Sequence, residues 1–269
     1  MKIAFIGAGV MGEAIISSLL ARGVARPEEI TAGDVVDFRL AELKSKYGIT
    51  AVRDNAEAVK GKEIIVLAVK PQAFPGVADG LRGKLRDDQL VLSIMAGVKL
   101  DSLKLALAHH ALVRVMPNTP AQIGEGMSVW TATSSVREGQ KESVRILLGV
   151  LGKELFVEDE KYIDMATAVS GSGPAYVFLF IEALTDAAVH IGLPRPMAAR
   201  LVLQTVLGSA RFVEATGKHP AELRNMVTSP GGTTAEGLLR LEKKGFRGIV
   251  TQAVIAAYEK AQNLGKEQR

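Results

Sequence analysis

No cysteine occurs anywhere in the chain. That absence removes disulfides, thiolate metal sites and cysteine nucleophiles at once, and it agrees with an intracellular setting. Histidine is scarce: His109, His110, His190 and His219 are the only four. None stands in a pattern with a nucleophile and an orienting carboxylate, and each reads as a surface or helix-end residue. No group of histidines and carboxylates has metal-ligand spacing, so no metal is expected. Basic clusters are missing too. The net charge is +4 and the sequence pI about 9.2, but lysines and arginines are scattered among acids, and no nucleic-acid partner is expected. The longest uncharged run, Met165 to Ile181, contains Ser-Gly-Ser-Gly-Pro and is not expected to form a continuous membrane helix. The opening residues, MKIAFIGAGV, run into a strand and a glycine turn rather than a signal peptide. A cytoplasmic protein without a membrane partner is the expectation.

What is present suits a globular chain of one large or two modest domains: 269 residues, 48% hydrophobic and 23% charged. Apolar, β-branched runs at Lys2–Ile6, Glu29–Ala32, Glu63–Val69, Gln89–Ile94 and Ala111–Met116 read as buried parallel strands. Helical patterns separate them, as in GEAIISSLLARG and DSLKLALAHH. The alternation predicts a Rossmann-type, doubly wound, mostly parallel α/β sheet over residues 1–163, which GMSVWTA and ELFVE would extend. From residue 164 to 269 the pattern is helical, predicting a second, all-α domain. Within it PAYVFLFIEALTDAAVHIG is apolar nearly all round, and such a helix must be enclosed, inside a domain or between subunits. Obligate association of this second domain is therefore expected.

Gly7, Gly9 and Gly12 form G-x-G-x-x-G after an apolar strand and at the start of a helix, the context in which that spacing binds a dinucleotide. Glycine allows the tight turn and a close approach to pyrophosphate, and the helix N-terminus supplies donors and positive potential. Asp34 ends the second strand, where an acid accepts hydrogen bonds from the ribose 2′- and 3′-hydroxyls of NAD and repels the 2′-phosphate of NADP. Capping of the next helix is its other reading. No arginine follows at 35–37. The expected cofactor is NAD or NADP, with NADH favoured by Asp34. Lys70 has two readings, a ribose or phosphate contact and a solvated loop lysine; Asn55 also suits a helix N-cap.

A second glycine turn, SPGGTT at 229–234, has the composition of an anion cradle and equally of a turn with a helix cap. MPNTP at 116–120 reads as a rigid turn or as a means of presenting the Asn118 amide. SGSGPA at 170–175 is assigned a structural role, as a hinge and the entry to the apolar helix.

The motifs IAFIGAGVMGEAI, AVKPQ, RVMPNTPAQIGEG, SGSGPAYVFLFIEAL and MVTSPGGTTAEGL follow in this order. Together the chain resembles the pyrroline-5-carboxylate reductase family over essentially its whole length, the last two motifs being the specific ones. The resemblance implies a Rossmann domain, a helical dimerisation domain, and NAD(P)H-dependent reduction of L-1-pyrroline-5-carboxylate to L-proline. It implies homodimers that assemble further, often to decamers. It places cofactor contacts at the glycine loop (Gly7, Ala8, Gly9, Val10, Met11, Gly12), Asn55, Val69, Lys70, Pro71, Ala96, Gly97 and Asn118. It places the substrate loop at Ser229, Pro230, Gly231, Gly232, Thr233 and Thr234. On this reading the loop amides hold the substrate carboxylate, and Thr234 hydrogen-bonds the ring nitrogen and manages its proton. A protonated imine is already electrophilic, so placement matters more than a strong acid.

Two positions depart from the family: Asn225 stands where many members carry an acid, and Asp34 where NADPH-preferring members often have a small hydroxyl residue. The second bears on cofactor choice rather than on the reaction. A β-hydroxyacid-type dehydrogenase is the rival enzyme, but Val177 occupies the position of its acid/base lysine. A non-catalytic NAD(P) sensor would need the first glycine loop and not the second.

Overall fold

The computed structural model describes residues 1–264; the last positions of the expected helical domain, 265–269, lie outside the described residues. Eight strands form one sheet: β1 (Ile3–Ile6), β2 (Ile30–Gly33), β3 (Thr50–Val52), β4 (Ile64–Leu67), β5 (Leu90–Ser93), β6 (Leu112–Met116), β7 (Gly126–Ala132) and β8 (Gly152–Phe156). Their order is β3-β2-β1-β4-β5-β6-β7-β8, parallel throughout except that β7 runs antiparallel to β6. Between the strands lie α1 (Val10–Ala21), α2 (Asp37–Tyr47), α3 (Asn55–Ala58), α4 (Phe74–Leu81), α5 (Leu100–Leu107) and α6 (Glu138–Gly149). The doubly wound, mostly parallel sheet expected from the sequence is therefore present. β1, β2, β4 and β5 are buried along their whole length because helices cover both faces, so each reads as an unbroken apolar run.

Alternate residues of each strand feed two cores. Ile3 and Phe5 pack with Ile15, Leu19, Trp130 and Leu147. Ala4 and Ile6 pack with Phe74, Leu81, Leu103 and Leu107. The strand order reverses between β1 and β4, the switch point at which an open α/β sheet leaves a crevice beyond its C-terminal strand ends.

Three details differ from the sequence-based expectation. β3 is a three-residue edge strand with no buried position, too short and too exposed to show a period. His109, expected at the surface or a helix end, follows α5 but is only 4% exposed. There Ala108, at φ 51°, turns the chain inward, and His109 Nε2 meets the Gln89 carbonyl oxygen at 2.8 Å. Finally, the Ser-Gly-Ser-Gly-Pro run does not interrupt the helix. After α7 (Lys161–Ala166), a π turn over Thr167–Gly171 leads into α8 (Gly173–His190). Thr167 and Ser170 donate their hydroxyls to the carbonyls four residues back, at 2.8 and 3.0 Å. Pro174 has no amide to continue the ladder, and the Ser170 carbonyl four residues before it accepts instead from Asn118 Nδ2 at 3.0 Å. The helical run Lys161–His190 is thus long and apolar enough, by length and composition, to cross a membrane.

Among the described residues, 1–172 together with 257–264 form one compact unit, and residues 173–256 form a second. The expected border at 163/164 falls within α7. The second unit contains α8, α9 (Arg195–Thr216), α10 (Pro220–Met226), α11 (Thr233–Lys243) and the first part of α12 (Phe246–Leu264). α8 packs against α9, yet Val177, Phe178, Leu179 and Phe180, four successive directions round the helix, are all exposed. Leu201, Leu203, Leu207 and Phe212 of α9 and Ile249, Val250 and Ile255 of α12 are exposed as well. A single chain does not enclose its own apolar helix.

Candidate active site

The loop after β1 packs so closely that two of its glycines admit no side chain. Gly7 has φ 90°, and a Cβ there would lie 2.7 Å from Val69 Cγ1 and 2.8 Å from the Ala68 carbonyl carbon. At Gly12 a Cβ would meet the Gly7 carbonyl oxygen at 2.7 Å. Gly9 differs: a Cβ there would stand in open space. Gly9 is the residue before α1, and the first helical bond runs from Glu13 N–H to the Gly9 carbonyl, 2.9 Å. Among the described residues, no acceptor meets the amides of Gly9, Val10 and Met11. They border a cleft of about 440 Å³. Its walls are Gly9–Met11, Ala68–Pro71 after β4, Ile94–Ala96 after β5, Met116–Thr119 after β6, and Gly171 of the π turn. Unpaired donors at a helix start, beside backbone bare of side chains, fit the pyrophosphate of a dinucleotide.

Asp34 anchors this loop. Its Oδ2 accepts the Ala8 amide at 2.8 Å and its Oδ1 accepts the Val36 amide at 3.0 Å. α2 is capped at Val36 with no side-chain bond, so Asp34 shapes the turn before the helix rather than capping it. From the other side, Arg39 Nε donates to the Ala8 carbonyl at 2.7 Å. One guanidinium nitrogen of Arg39 reaches Glu42 at 2.5 Å and the other pairs with Glu13. Glu13 also accepts from Lys46 and Tyr47, each at 2.8 Å.

Hydrogen bonds from Arg39 and then Lys46 hold the Glu13 carboxyl at about 2, below its ordinary 4.5. A carboxyl lowered on folding stabilises the native state above its unfolded value, and that stability is lost as pH falls from 4.5 towards 2. Glu13→Gln should therefore lower the melting temperature at pH 7 and flatten its decline between about pH 4.5 and 2; scanning calorimetry of both forms across that range checks this.

The other positions anticipated as cofactor contacts are spread round the same edge. Val69, Pro71 and Ala96 line the cleft, as does the exposed Lys70, which has no ion pair among the described residues. Gly97, at φ 77°, turns the chain behind Ala96. Asn55 opens α3, but Asp54 is the cap, accepting the Ala56 amide at 2.8 Å. The Asn55 Oδ1 instead lies beside Gly33, 2.6 Å from where a Cβ would stand. Asn118 borders the cleft with its amide already used: Nδ2 donates to the Ser170 carbonyl at 3.0 Å, and Oδ1 accepts the Met127 amide at 2.8 Å.

Sequence reasoning missed Gly171, Met116 and Thr119 as lining residues. A side chain at position 171 would run into Met116 Cε, so the glycine of the supposed hinge is also a wall of the cleft. It missed Arg114 as well. This arginine on β6 is 1% exposed and pairs with Glu160 at 2.8 Å and Asp164 at 2.6 Å. Glu160 Oε1 also accepts the Leu100 amide at 2.9 Å. The buried cluster thereby fastens α7, and the π turn that follows it, to the sheet.

The second unit carries the other glycine turn. The Gly232 amide donates to the Ser229 carbonyl at 3.0 Å, with Pro230 second and Gly231, at φ 68°, third. Only glycine fits that third position of a type II turn without strain. A Cβ at Gly232 would collide with the Ser229 hydroxyl. Gly232 caps α11 without any side-chain bond, so the serine and threonines do no local capping here. The first helical bond is Glu236 N–H to the Gly232 carbonyl, 3.3 Å. Among the described residues the amides of Thr233, Thr234 and Ala235, and the hydroxyls of Ser229, Thr233 and Thr234, have no partner.

A glycine-loop cleft at the switch point of a doubly wound sheet, with a helical unit beyond it in sequence, defines a two-part nucleotide-binding oxidoreductase class. Residues 2–97 match a family model described as NADP oxidoreductase coenzyme F420-dependent, and residues 160–264 match one described as pyrroline-5-carboxylate reductase dimerisation. A pyrroline-5-carboxylate reductase of Synechocystis sp. is 44% identical over 99% of both chains. One of Arabidopsis thaliana is 40% identical over 98% of this chain and 96% of the relative. The crystal structure of a Plasmodium falciparum pyrroline carboxylate reductase with NADP bound superposes with a TM-score of 0.90 at 34% identity, covering 98% of each chain. The chain belongs to the pyrroline-5-carboxylate reductase family. Self-association through the helices matched by the dimerisation model explains why their apolar faces are left uncovered.

Proposed function

We propose that the chain reduces the C=N bond of L-1-pyrroline-5-carboxylate to give L-proline, the last step of proline biosynthesis, with NADH or NADPH as reductant. The observation that carries this reading is the pair of glycine-built sites with unpaired amides, one at the start of α1 and one at the start of α11. A generic dinucleotide binder needs only the first. The reduced nicotinamide supplies the hydride when bound. The amides of Gly9, Val10 and Met11 hold its pyrophosphate, Asp34 its adenosine ribose, and the Val69–Pro71, Ala96 and Asn118 walls confine the rest. The amides of Thr233 and Thr234, at the positive end of α11, receive the substrate carboxylate, and Ser229 shapes the turn beneath them. The Thr234 hydroxyl accepts from the protonated ring nitrogen and keeps that proton in place as the imine carbon becomes tetrahedral. Val177 is apolar where an alcohol dehydrogenase of the β-hydroxyacid type has its lysine, so no base for alcohol oxidation stands there.

The working form is read as a homodimer that assembles further, towards a decamer, in the cytoplasm. The apolar run 161–190 then faces other copies of the chain rather than lipid, and neither membrane nor nucleic acid is a partner. The test follows absorbance of NADH and of NADPH with purified protein and pyrroline-5-carboxylate. Oxidation of both is expected, with the higher kcat/KM for NADH because the Asp34 carboxylate repels a 2′-phosphate. Binding of the nucleotides without oxidation would favour the sensor reading.

A further inference from the structure

Arg39 reaches the Asp34 end of the glycine loop through its bond to the Ala8 carbonyl. Arg39 lies five residues beyond Asp34, yet both side chains grip the same peptide: Asp34 takes the Ala8 amide at 2.8 Å and Arg39 the Ala8 carbonyl at 2.7 Å. An arginine beside the acid that ends the second strand is the group that accommodates a 2′-phosphate in NADP-binding sheets of this type. Here that guanidinium is already neutralised, by Glu42 at 2.5 Å and by Glu13. Lys46 gives its own charge to Glu13 as well. The other arginine at this edge, Arg53, is likewise taken, by Asp37 through two bonds of 2.5 and 2.7 Å. Around the Ala8 peptide the charged groups are therefore Asp34, Glu13 and Glu42 against Arg39 and Lys46, a surplus of one negative charge.

We propose that Glu42 and Glu13 set the cofactor choice of this chain by holding Arg39 in a fixed ion-pair cluster, away from the 2′ position of the bound nucleotide. The proposal rests on the reading of the α1 cleft as a dinucleotide site and adds the residues that discriminate within it. The two acids have different duties. Glu13 is mostly buried and shared with Lys46 and Tyr47, so it fixes the loop's support. Glu42 is about 41% exposed and lies one helical turn from Arg39. It is the more exposed of the two carboxylates on the guanidinium, and so the partner that a 2′-phosphate has to displace.

The test uses fragments whose binding needs no imine turnover: adenosine 2′,5′-bisphosphate and ADP, titrated calorimetrically against the full-length wild type and Glu42→Gln. The variant keeps the shape and a hydrogen-bonding carbonyl while removing one charge. Affinity for adenosine 2′,5′-bisphosphate should rise about tenfold, the size of one unit-charge contact in a partly solvated site, and affinity for ADP should change less than twofold. In Glu42→Gln combined with Arg39→Gln the gain should vanish, because the arginine, not the lost negative charge, does the binding. No gain in Glu42→Gln, an equal gain for both fragments, or a gain that survives in the double variant overturns the proposal. ADP binding by each variant reports that the loop is intact. A protein that binds both fragments as expected but reduces no pyrroline-5-carboxylate would sink the reductase reading and leave this one standing.

Discussion

Replacing Thr234 by alanine is expected to lower kcat about 100-fold, the ordinary size of a lost proton-handling group, while the dissociation constant for NADH stays within about twofold. The expected split comes from where the residue sits. Thr234 is the second residue of α11 and its hydroxyl has no partner among the described residues. Nothing in the fold depends on that hydroxyl, and alanine is a better helix former than threonine, so stability should not fall. Every residue assigned to the cofactor belongs to the other unit, residues 1–172. Thr234→Ser keeps the hydroxyl and should return most of the rate. Steady-state kinetics with pyrroline-5-carboxylate, together with fluorescence titration of NADH, give both numbers. An equal loss of turnover and cofactor affinity would make the turn a structural element.

Much of the fold was legible because its signals are local. Buried parallel strands announce themselves as unbroken apolar runs, and the helices between them by composition, so the sheet and its helical sequel could be read directly. The glycine loop was legible for the same reason, since its three glycines and both flanking elements lie within residues 3–21. What escaped was set by partners far away in sequence. Arg39 lies outside the stretch 35–37 that follows Asp34, and only its bond to Ala8, 31 positions earlier, brings it to the glycine loop. Asn118 reads as part of a rigid turn or as a presented amide, and its partners Met127 and Ser170, 9 and 52 positions away, hold both ends of that amide. His109 reads as a surface or helix-end residue; it does follow α5, but the backbone turn at Ala108 buries it. The Ser-Gly-Ser-Gly-Pro run looked like a break. Whether such residues stop a helix depends on hydroxyls returning to carbonyls four positions back, and they do here.

Arg114→Ala is expected to be the most destabilising single change, costing about 3–5 kcal/mol, the range for removing one member of a buried ion pair. Composition gives no hint of it, because an arginine within an apolar strand is as compatible with an exposed edge as with a core. Its side chain is 1% exposed, and its partners Glu160 and Asp164 are 46 and 50 positions away. Alanine would leave the Asp164 carboxylate, 11% exposed, with no counter-charge. It would also loosen Glu160, which holds the Leu100 amide at the start of α5. The effect should reach the cleft. α7 leads into the π turn, Ser170 of that turn binds Asn118, and Gly171 is one of the cleft's walls. NADH affinity of the surviving folded protein should therefore fall along with stability, unlike the Thr234 result. Arg114→Met/Asp164→Leu removes both charges of the 2.6 Å pair and replaces them with apolar bulk, so it should recover about half or more of the lost stability. Urea unfolding of the wild type and both variants measures the difference. If the double variant is no more stable than Arg114→Ala, then packing volume rather than the uncompensated carboxylate sets the cost.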